Sequence, residues 1–507
     1  MSNDSVAPRA RGVMNWSVQL WDRVIRNPSA MIIGNTGAQS VLRMVSNVAL
    51  ARLLLPSAFG LMALTTLILT GITMVSDVGI AITALREGDM SRDDEDRLWT
   101  MQMVRGVGVS VAMLAAAAPV GWLYGDTRLR DVLFALALAP LLQSLASLYP
   151  TLALGQRRLL PSTLLELVGR VGGMVLSVGM AFITPTVWAL VIGSLVGTAV
   201  QSLGGHLMAR RWPRLIIDFP YMARQWRFSR WIQASSTLTF AGAQGDKALF
   251  PFLFGLPALG LYGIGSNFAA IPAQVTQRWS ASVYYPLAVQ FLTGGAEPRR
   301  RLLAVRTTML LYTAVLVLAL AAVAPAFFGL LYARQYQGAA LFAQILALGV
   351  FFDTAESSLR HFPLVEDTPR YEVWVVLVRL AAFAIGVAVV YAIGAGATGF
   401  AFAYVLGLAV GHLYMLAVCV RRGYLRPRLD LLMTAALVVA VVAIDRLPVA
   451  SGIGPLIAWG AAIGVAGTAA LFAVFRWRGL PSLSAEPAPE LLRETAEEER
   501  HLSTERA

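Results

Sequence analysis

Nine ionisable side chains sit within or at the ends of long apolar runs: Arg43, Arg105, Arg170, Lys247, Arg278, Arg306 and Arg379 among the bases, and Asp77 and Asp246 among the acids. A charge surrounded by hydrocarbon is costly, so each has to face a cavity, a partner or the interface. Arginine presents five donors in a planar fork that matches oxyanions, and it keeps its charge at cellular pH. Bases in both halves of the chain are what a pathway for an anion needs. The two acids are candidate coupling or cavity groups. Helical spacing adds detail: Asn35, Gln39 and Arg43 share one face, while Glu166 with Arg170 and Glu356 with Arg360 are i,i+4 pairs suited to ion pairing. Arg105 can snorkel from the inner end of its helix, Asp77 is placed near the outer end of the second, and Arg306 and Arg379 fall near inner ends. Arg278, well inside an apolar run, is the strongest single candidate for a substrate contact.

The elements that must carry these residues are membrane helices. Of 507 residues, 57% are hydrophobic and 14% charged, and mean hydropathy is +0.65. A soluble domain averages about 25% charged residues. Apolar runs of about 20 residues, enough to cross about 30 Å of hydrocarbon, recur along the chain. The expected fold is therefore all-α, a polytopic protein of about fourteen transmembrane helices. They fall near 29–50, 58–84, 101–124, 131–153, 162–183, 187–208, 232–255, 259–291, 303–330, 339–359, 372–393, 399–420, 429–446 and 453–475. The eighth run is too long for one straight crossing; Pro272 is expected to kink it, and Pro286 to mark its exit from the core.

Arginines set the orientation. One set of alternate gaps carries Arg23 and Arg26, Arg92 and Arg97, Arg157 and Arg158, the cluster from Arg210 to Arg230, Arg299 to Arg301, Arg360 with Arg370, and Arg421 to Arg428. The other set offers only Arg52, Arg128, Arg130, Arg334 and Arg446. The first set is expected in the cytoplasm, with both termini inside a bacterial inner membrane. The net charge of +12 follows from this bias and is spread over short turns, so no nucleic-acid partner is expected. Residues 1–28 read as a cytoplasmic segment, possessing neither the apolar core nor the cleavage site of a secretory leader, with an interfacial amphipathic stretch at 13–26. The loop 209–231, with Trp212, Trp226 and Trp231 among arginines, reads as an anchor on an anionic leaflet. Asp93 to Asp96 read as a solvated turn, and 476–507, rich in Glu, Pro and Ala, as a disordered cytoplasmic tail.

Several chemistries are not expected. Cys419 is the single cysteine, and His206, His361, His412 and His501 form no zinc signature. No P-loop or extramembrane catalytic domain is visible, so the chain reads as a non-enzyme without a cofactor. Leu54-Leu55-Pro56-Ser57-Ala58-Phe59-Gly60-Leu61 is echoed at Phe254-Gly255-Leu256-Pro257-Ala258-Leu259-Gly260-Leu261. Each stretch joins the first and second helices of a six-helix block. Two lobes, 29–208 and 232–420, are therefore expected, followed by two further helices over 429–475.

These segments also carry a resemblance. Ala51-Arg52-Leu53-Leu54-Leu55-Pro56-Ser57-Ala58-Phe59-Gly60-Leu61, Ser76-Asp77-Val78-Gly79-Ile80 with Ala84-Leu85-Arg86, Gly245-Asp246-Lys247, Leu256 to Tyr262, and Arg278 with Tyr285-Pro286 resemble the oligosaccharide and polysaccharide flippases. That family sits in a larger group with multidrug and toxin extruders and peptidoglycan-precursor flippases. The likeness covers roughly 30–420; Lys247 stands where the family often has Arg, and the second turn lacks a glycine-proline pair. The resemblance implies a cargo of polyprenyl-diphosphate-linked oligosaccharide moved by alternating access for surface or exopolysaccharide synthesis. It also implies a functional monomer associating with a polysaccharide polymerase and glycosyltransferases. A multidrug or organic-cation exporter and a peptidoglycan-precursor flippase are the alternatives.

Overall fold

The computed structural model describes residues 28–446, except 78, 81–82, 85–89, 157–159, 281–283, 294–295, 366–369 and 426. The stretch expected at 13–26, the final helix at 453–475 and the tail from 476 lie outside the described residues. The order is α1 (Pro28–Leu53), α2 (Pro56–Val75), α3 (Arg92–Tyr124), α4 (Thr127–Leu136), α5 (Leu138–Ser144), α6 (Tyr149–Gly155), α7 (Leu160–Ile183) and α8 (Val187–Ala209). It continues with α9 (Phe219–Ala269), α10 (Ile271–Trp279), α11 (Tyr285–Thr293), α12 (Ala296–Leu331), α13 (Ala339–Val365), α14 (Arg370–Ile393), α15 (Gly396–Arg421) and α16 (Arg428–Arg446). Among the described residues, nine stretches are long and apolar enough to cross a membrane. The chain is an all-α, multi-span membrane protein.

Three expected elements differ in detail. The helix expected at 131–153 is broken into α4, α5 and α6. A break inside hydrocarbon frees carbonyls that water cannot reach, and they need donors. Gln102 Nε2 on α3 donates to Ser144 O and Ala146 O, both at 2.9 Å, and His206 Nε2 on α8 lies 2.5 Å from Leu145 O. The seventh and eighth expected helices run on as α9, parted by non-helical Gly255 at φ 78°, a conformation that suits a residue without Cβ. The kink expected at Pro272 appears as the break at Ala270, with Pro272 in the first turn of α10. Coil occupies only 211–218 of the expected inter-lobe loop, and Asp218 caps α9 by accepting from Tyr221 N at 3.0 Å.

Asp77 follows the Val75 end of α2, the opposite end from the Leu54-Pro56 turn. The acidic cluster is more than a solvated turn. Ser91 caps α3, and Asp93, Asp94 and Glu95 occupy its first turn, where the helix dipole favours anions. Asp96 is buried, and Arg211 grips it at 2.7 and 2.8 Å. Arg211 also reaches Glu95 at 3.0 Å, which pins the start of the 211–218 strap to α3.

The two echoed turns meet. A Cβ on Gly60 would overlap the Leu256 carbonyl, and a Cβ on Gly260 would overlap the Pro56 carbonyl. Positions 56 and 60 exchange with 256 and 260, the reciprocal pattern of a two-fold contact. Close by, Arg52 donates from Nε to Leu331 O (2.8 Å) and from Nη2 to Leu330 O (3.2 Å), capping the C-terminus of α12. Tyr336 OH donates to Leu54 O at 2.8 Å. Elsewhere α7 and α8 approach through small residues: a Cβ on Gly173 would press on Gly193 O at 2.7 Å, and one on Gly197 on Gly169 O at 2.9 Å. α13 is the most enclosed long helix and α14 the most exposed, with 72% and 17% of their apolar windows buried.

Candidate functional site

The close α7–α8 pair, with α1 and α2, walls a cavity of about 520 Å³. Arg43 enters from α1 and Arg170 from α7, beside Ser46, Asn47, Ser177, Thr198 and Gln201. Among the described residues, no aromatic ring or carboxylate lines it. Among the described residues neither arginine has an ion-pair partner, and Arg170 Nε is buried without a hydrogen-bond partner. The i,i+4 spacing of Glu166 and Arg170 does not become an ion pair; Glu166 instead accepts from Gln39 Nε2 at 2.6 Å. Gln39 thus leaves the cavity wall that its spacing from Arg43 suggested.

Four other basic candidates are engaged. Arg105 donates from Nη2 to Thr73 O at 3.0 Å, satisfying a carbonyl in the last turn of α2. Lys247 Nζ donates to Gln244 Oε1 at 2.8 Å. Arg306 is buried and forked onto Asp430, with Nη2–Oδ1 at 2.6 Å and Nη1–Oδ2 at 3.1 Å, and its Nε donates to Ser358 Oγ at 2.9 Å. That geometry spends all three nitrogens on α13 and α16. Arg379 pairs with Asp353 at 3.3 Å and Glu356 at 3.5 Å. Arg278 lies on α10, and its side chain is outside the described residues.

The acids also differ. Asp77 Oδ1 accepts from Gly79 N at 3.0 Å and closes a local turn after α2. Asp246 is buried on α9; its Oδ2 accepts from Tyr262 OH at 2.5 Å, and its Oδ1 is buried with no hydrogen-bond partner. It lines a small cleft with Arg379 and Tyr404.

A second cavity, of about 470 Å³, opens among α10 to α14. The expected Glu356–Arg360 pair forms there at 2.9 Å, and Arg360 also reaches Glu372 at 3.3 Å. Sequence reasoning missed the neutral wall of the first cavity. Its signal was present, because Ser194, Thr198 and Gln201 repeat at helical spacing on α8.

Residues 49–341 match the family described as polysaccharide biosynthesis protein. Similar curated proteins include "Succinoglycan biosynthesis transport protein ExoT" of Rhizobium meliloti (strain 1021), 21% identical over 53% of this chain and 54% of that protein. "Lipopolysaccharide biosynthesis protein WzxC" of Escherichia coli (strain K12) is 24% identical over 48% of this chain and 50% of that protein. The chain thus spans about half the length of the curated relatives it matches. The fold is shared with "Lipid II flippase MurJ, inward closed conformation", at TM-score 0.66 and 11% identity, covering 89% of this chain and 99% of that one. It is shared too with an inward-facing multidrug resistance MATE family transporter of the MOP superfamily, at TM-score 0.59 and 11% identity, over 81% and 96%. With the family match covering more than half of its length, the chain belongs to the polysaccharide biosynthesis protein family.

Proposed function

We propose that this protein is a flippase that moves a polyprenyl-diphosphate-linked oligosaccharide across the inner membrane for surface or exopolysaccharide synthesis. One observation carries the reading: Arg43 on α1 and Arg170 on the membrane-length helix α7 line one cavity and, among the described residues, neither has a carboxylate partner. Uncompensated charge in hydrocarbon is costly unless a ligand supplies the counter-charge. A diphosphate carries about two negative charges and offers oxygens that arginine forks can grip. Arg278 and Lys247 are further proposed contacts at other stages of the passage.

Fourteen helices in two six-helix lobes plus two, with cytoplasmic termini, complete the reading. The headgroup enters from the cytoplasmic side while the prenyl chain stays in lipid, and the lobes then rock about the reciprocal Gly60–Gly260 contact. A second reading is a peptidoglycan-precursor flippase, which shares the polyprenyl diphosphate chemistry and the fold of the lipid II flippase. Two unpaired arginines oppose a cationic drug as cargo.

The test is mass spectrometry of polyprenyl-diphosphate-linked glycans in matched membranes with and without the protein. Accumulation of one complete oligosaccharide unit, with its surface polymer lost, supports the first reading. Accumulation of the cell-wall precursor selects the second. Unchanged lipids in a strain without a redundant flippase overturn both.

A further inference from the structure

The second cavity contrasts with the first in chemistry, and α10 borders both it and a cleft that shares Arg43 with the first. Its two arginines are already spent on three carboxylates, leaving a net negative charge and no spare cation: Arg360 holds Glu356 and Glu372, and Asp353 lies 3.3 Å from Arg379. Such a network has little pull on a diphosphate. What remains on its wall are neutral hydrogen-bonding groups and one ring. Ser357 and Gln277 line it, and His361 Nδ1 is buried with no hydrogen-bond partner. Tyr285 is 44% exposed, with its ring edge-on to His361 at 5.3 Å.

The two cavities are related through α1 and α10. Arg43 lines the arginine cavity and also a smaller cleft between α1 and α9–α10. Gln274 on α10 lines the same cleft and accepts from Ser40 Oγ at 2.9 Å. Two and three residues later, Thr276 and Gln277 line the second cavity. One short helix therefore borders both a cleft lined by Arg43 and a chamber, similar in size to the arginine cavity, that has no spare cation.

We infer that this second cavity holds the uncharged sugar portion of the same lipid-linked cargo, with Tyr285 as the ring platform and Gln277, Ser357 and His361 as hydroxyl partners. Sugar hydroxyls both donate and accept, which suits a wall of mixed donors and acceptors. A sugar's C–H face suits an exposed tyrosine ring, and its lack of charge suits a wall with no spare counter-ion. The inference rests on the flippase reading and adds a division of labour: phosphate on the first half, sugar on the second.

The experiment measures binding by native mass spectrometry on the full chain. One probe is a polyprenyl diphosphate without sugar, and the other is the same lipid bearing one neutral hexose. The unaltered protein should prefer the hexose-bearing lipid. Y285A combined with Q277A, both at exposed positions, should erase about tenfold of that preference, roughly 1.4 kcal/mol, and leave affinity for the sugar-free lipid unchanged. Y285F, which keeps the ring, should retain the preference. An unchanged preference in the double variant, or none in the unaltered protein, overturns the inference. The flippase reading fails separately, when affinity for the sugar-free lipid does not fall in R43A/R170A.

Discussion

Two cavities of similar volume, one in each half of the chain, treat charge in opposite ways. Around the first, α1 and α7 each supply an arginine, and among the described residues no acid answers either of them. Around the second, Arg360 and Arg379 meet Asp353, Glu356 and Glu372 at 2.9 to 3.5 Å. Arg306, behind that cavity, is spent on Asp430. The difference teaches that an arginine within a membrane helix is not by itself a substrate contact. The second half uses its arginines to join α12, α13, α14 and α16, whereas the first half, among the described residues, leaves its cavity pair without an acid.

The largest expected effect falls on the unpaired side. R43A/R170A should abolish export while the protein stays at normal abundance. Each single change should weaken binding of a sugar-free polyprenyl diphosphate roughly ten- to hundredfold, the worth of a charged hydrogen bond of about 1.5–3 kcal/mol. Wild-type export from the double variant at wild-type abundance would break the comparison outright.

On the paired side the loss should be in folding. R306A strands Asp430 in the core and should cost about 3–5 kcal/mol, seen as a lower Tm and lower abundance. R306M/D430L, which removes both charges, should recover most of that Tm and keep export. Failure to recover export would show that Arg306 touches cargo after all.

A smaller effect is expected where the halves touch. G60A should cost about 1–3 kcal/mol, because its methyl meets the Leu256 backbone and not a side chain that can turn away. G260A should cost a similar amount, and the double change less than their sum, since both act on one contact. Strict additivity in thermal unfolding would speak against a shared interface.

The smallest effect lies in the turn between α3 and α4. Asp126 caps α4 by accepting from Arg128 N at 2.9 Å, and it takes two further hydrogen bonds from the Arg128 guanidinium. Those bonds hold its carboxyl below the usual carboxylate range. A lowered acid contributes stability above its unfolded pKa, about 3.9, and loses it as pH falls through the folded value. D126N should therefore leave Tm nearly unchanged at neutral pH, since Asn also caps, and should flatten only the acid limb of the stability curve. D126A should cost about 1 kcal/mol at neutral pH.

Much of this architecture was legible beforehand. The broken α9–α10 region was announced by Pro272, and the touching turns by a 200-residue echo at Gly60 and Gly260. The Glu356–Arg360 pair followed from helical spacing. The breaks in α4 to α6 were not legible, because their stability depends on Gln102 and His206, donors from distant helices. The buried role of Asp96 was hidden for the same reason, its partner Arg211 lying 115 positions away.

The sequence by itself determined the membrane class and the helix-rich fold. Apolar run length, charge spacing and repeated motifs are local properties, and hydrocarbon enforces them residue by residue. Which arginines gain an acid partner was decided only by tertiary structure. Arg306 and Arg170 look alike in sequence, each within a long apolar helix. Arg306 is neutralised by Asp430, 124 positions on, while packing brings no acid among the described residues to Arg170. Coulombic pairing acts through space at a few ångströms, and chain order does not record that distance.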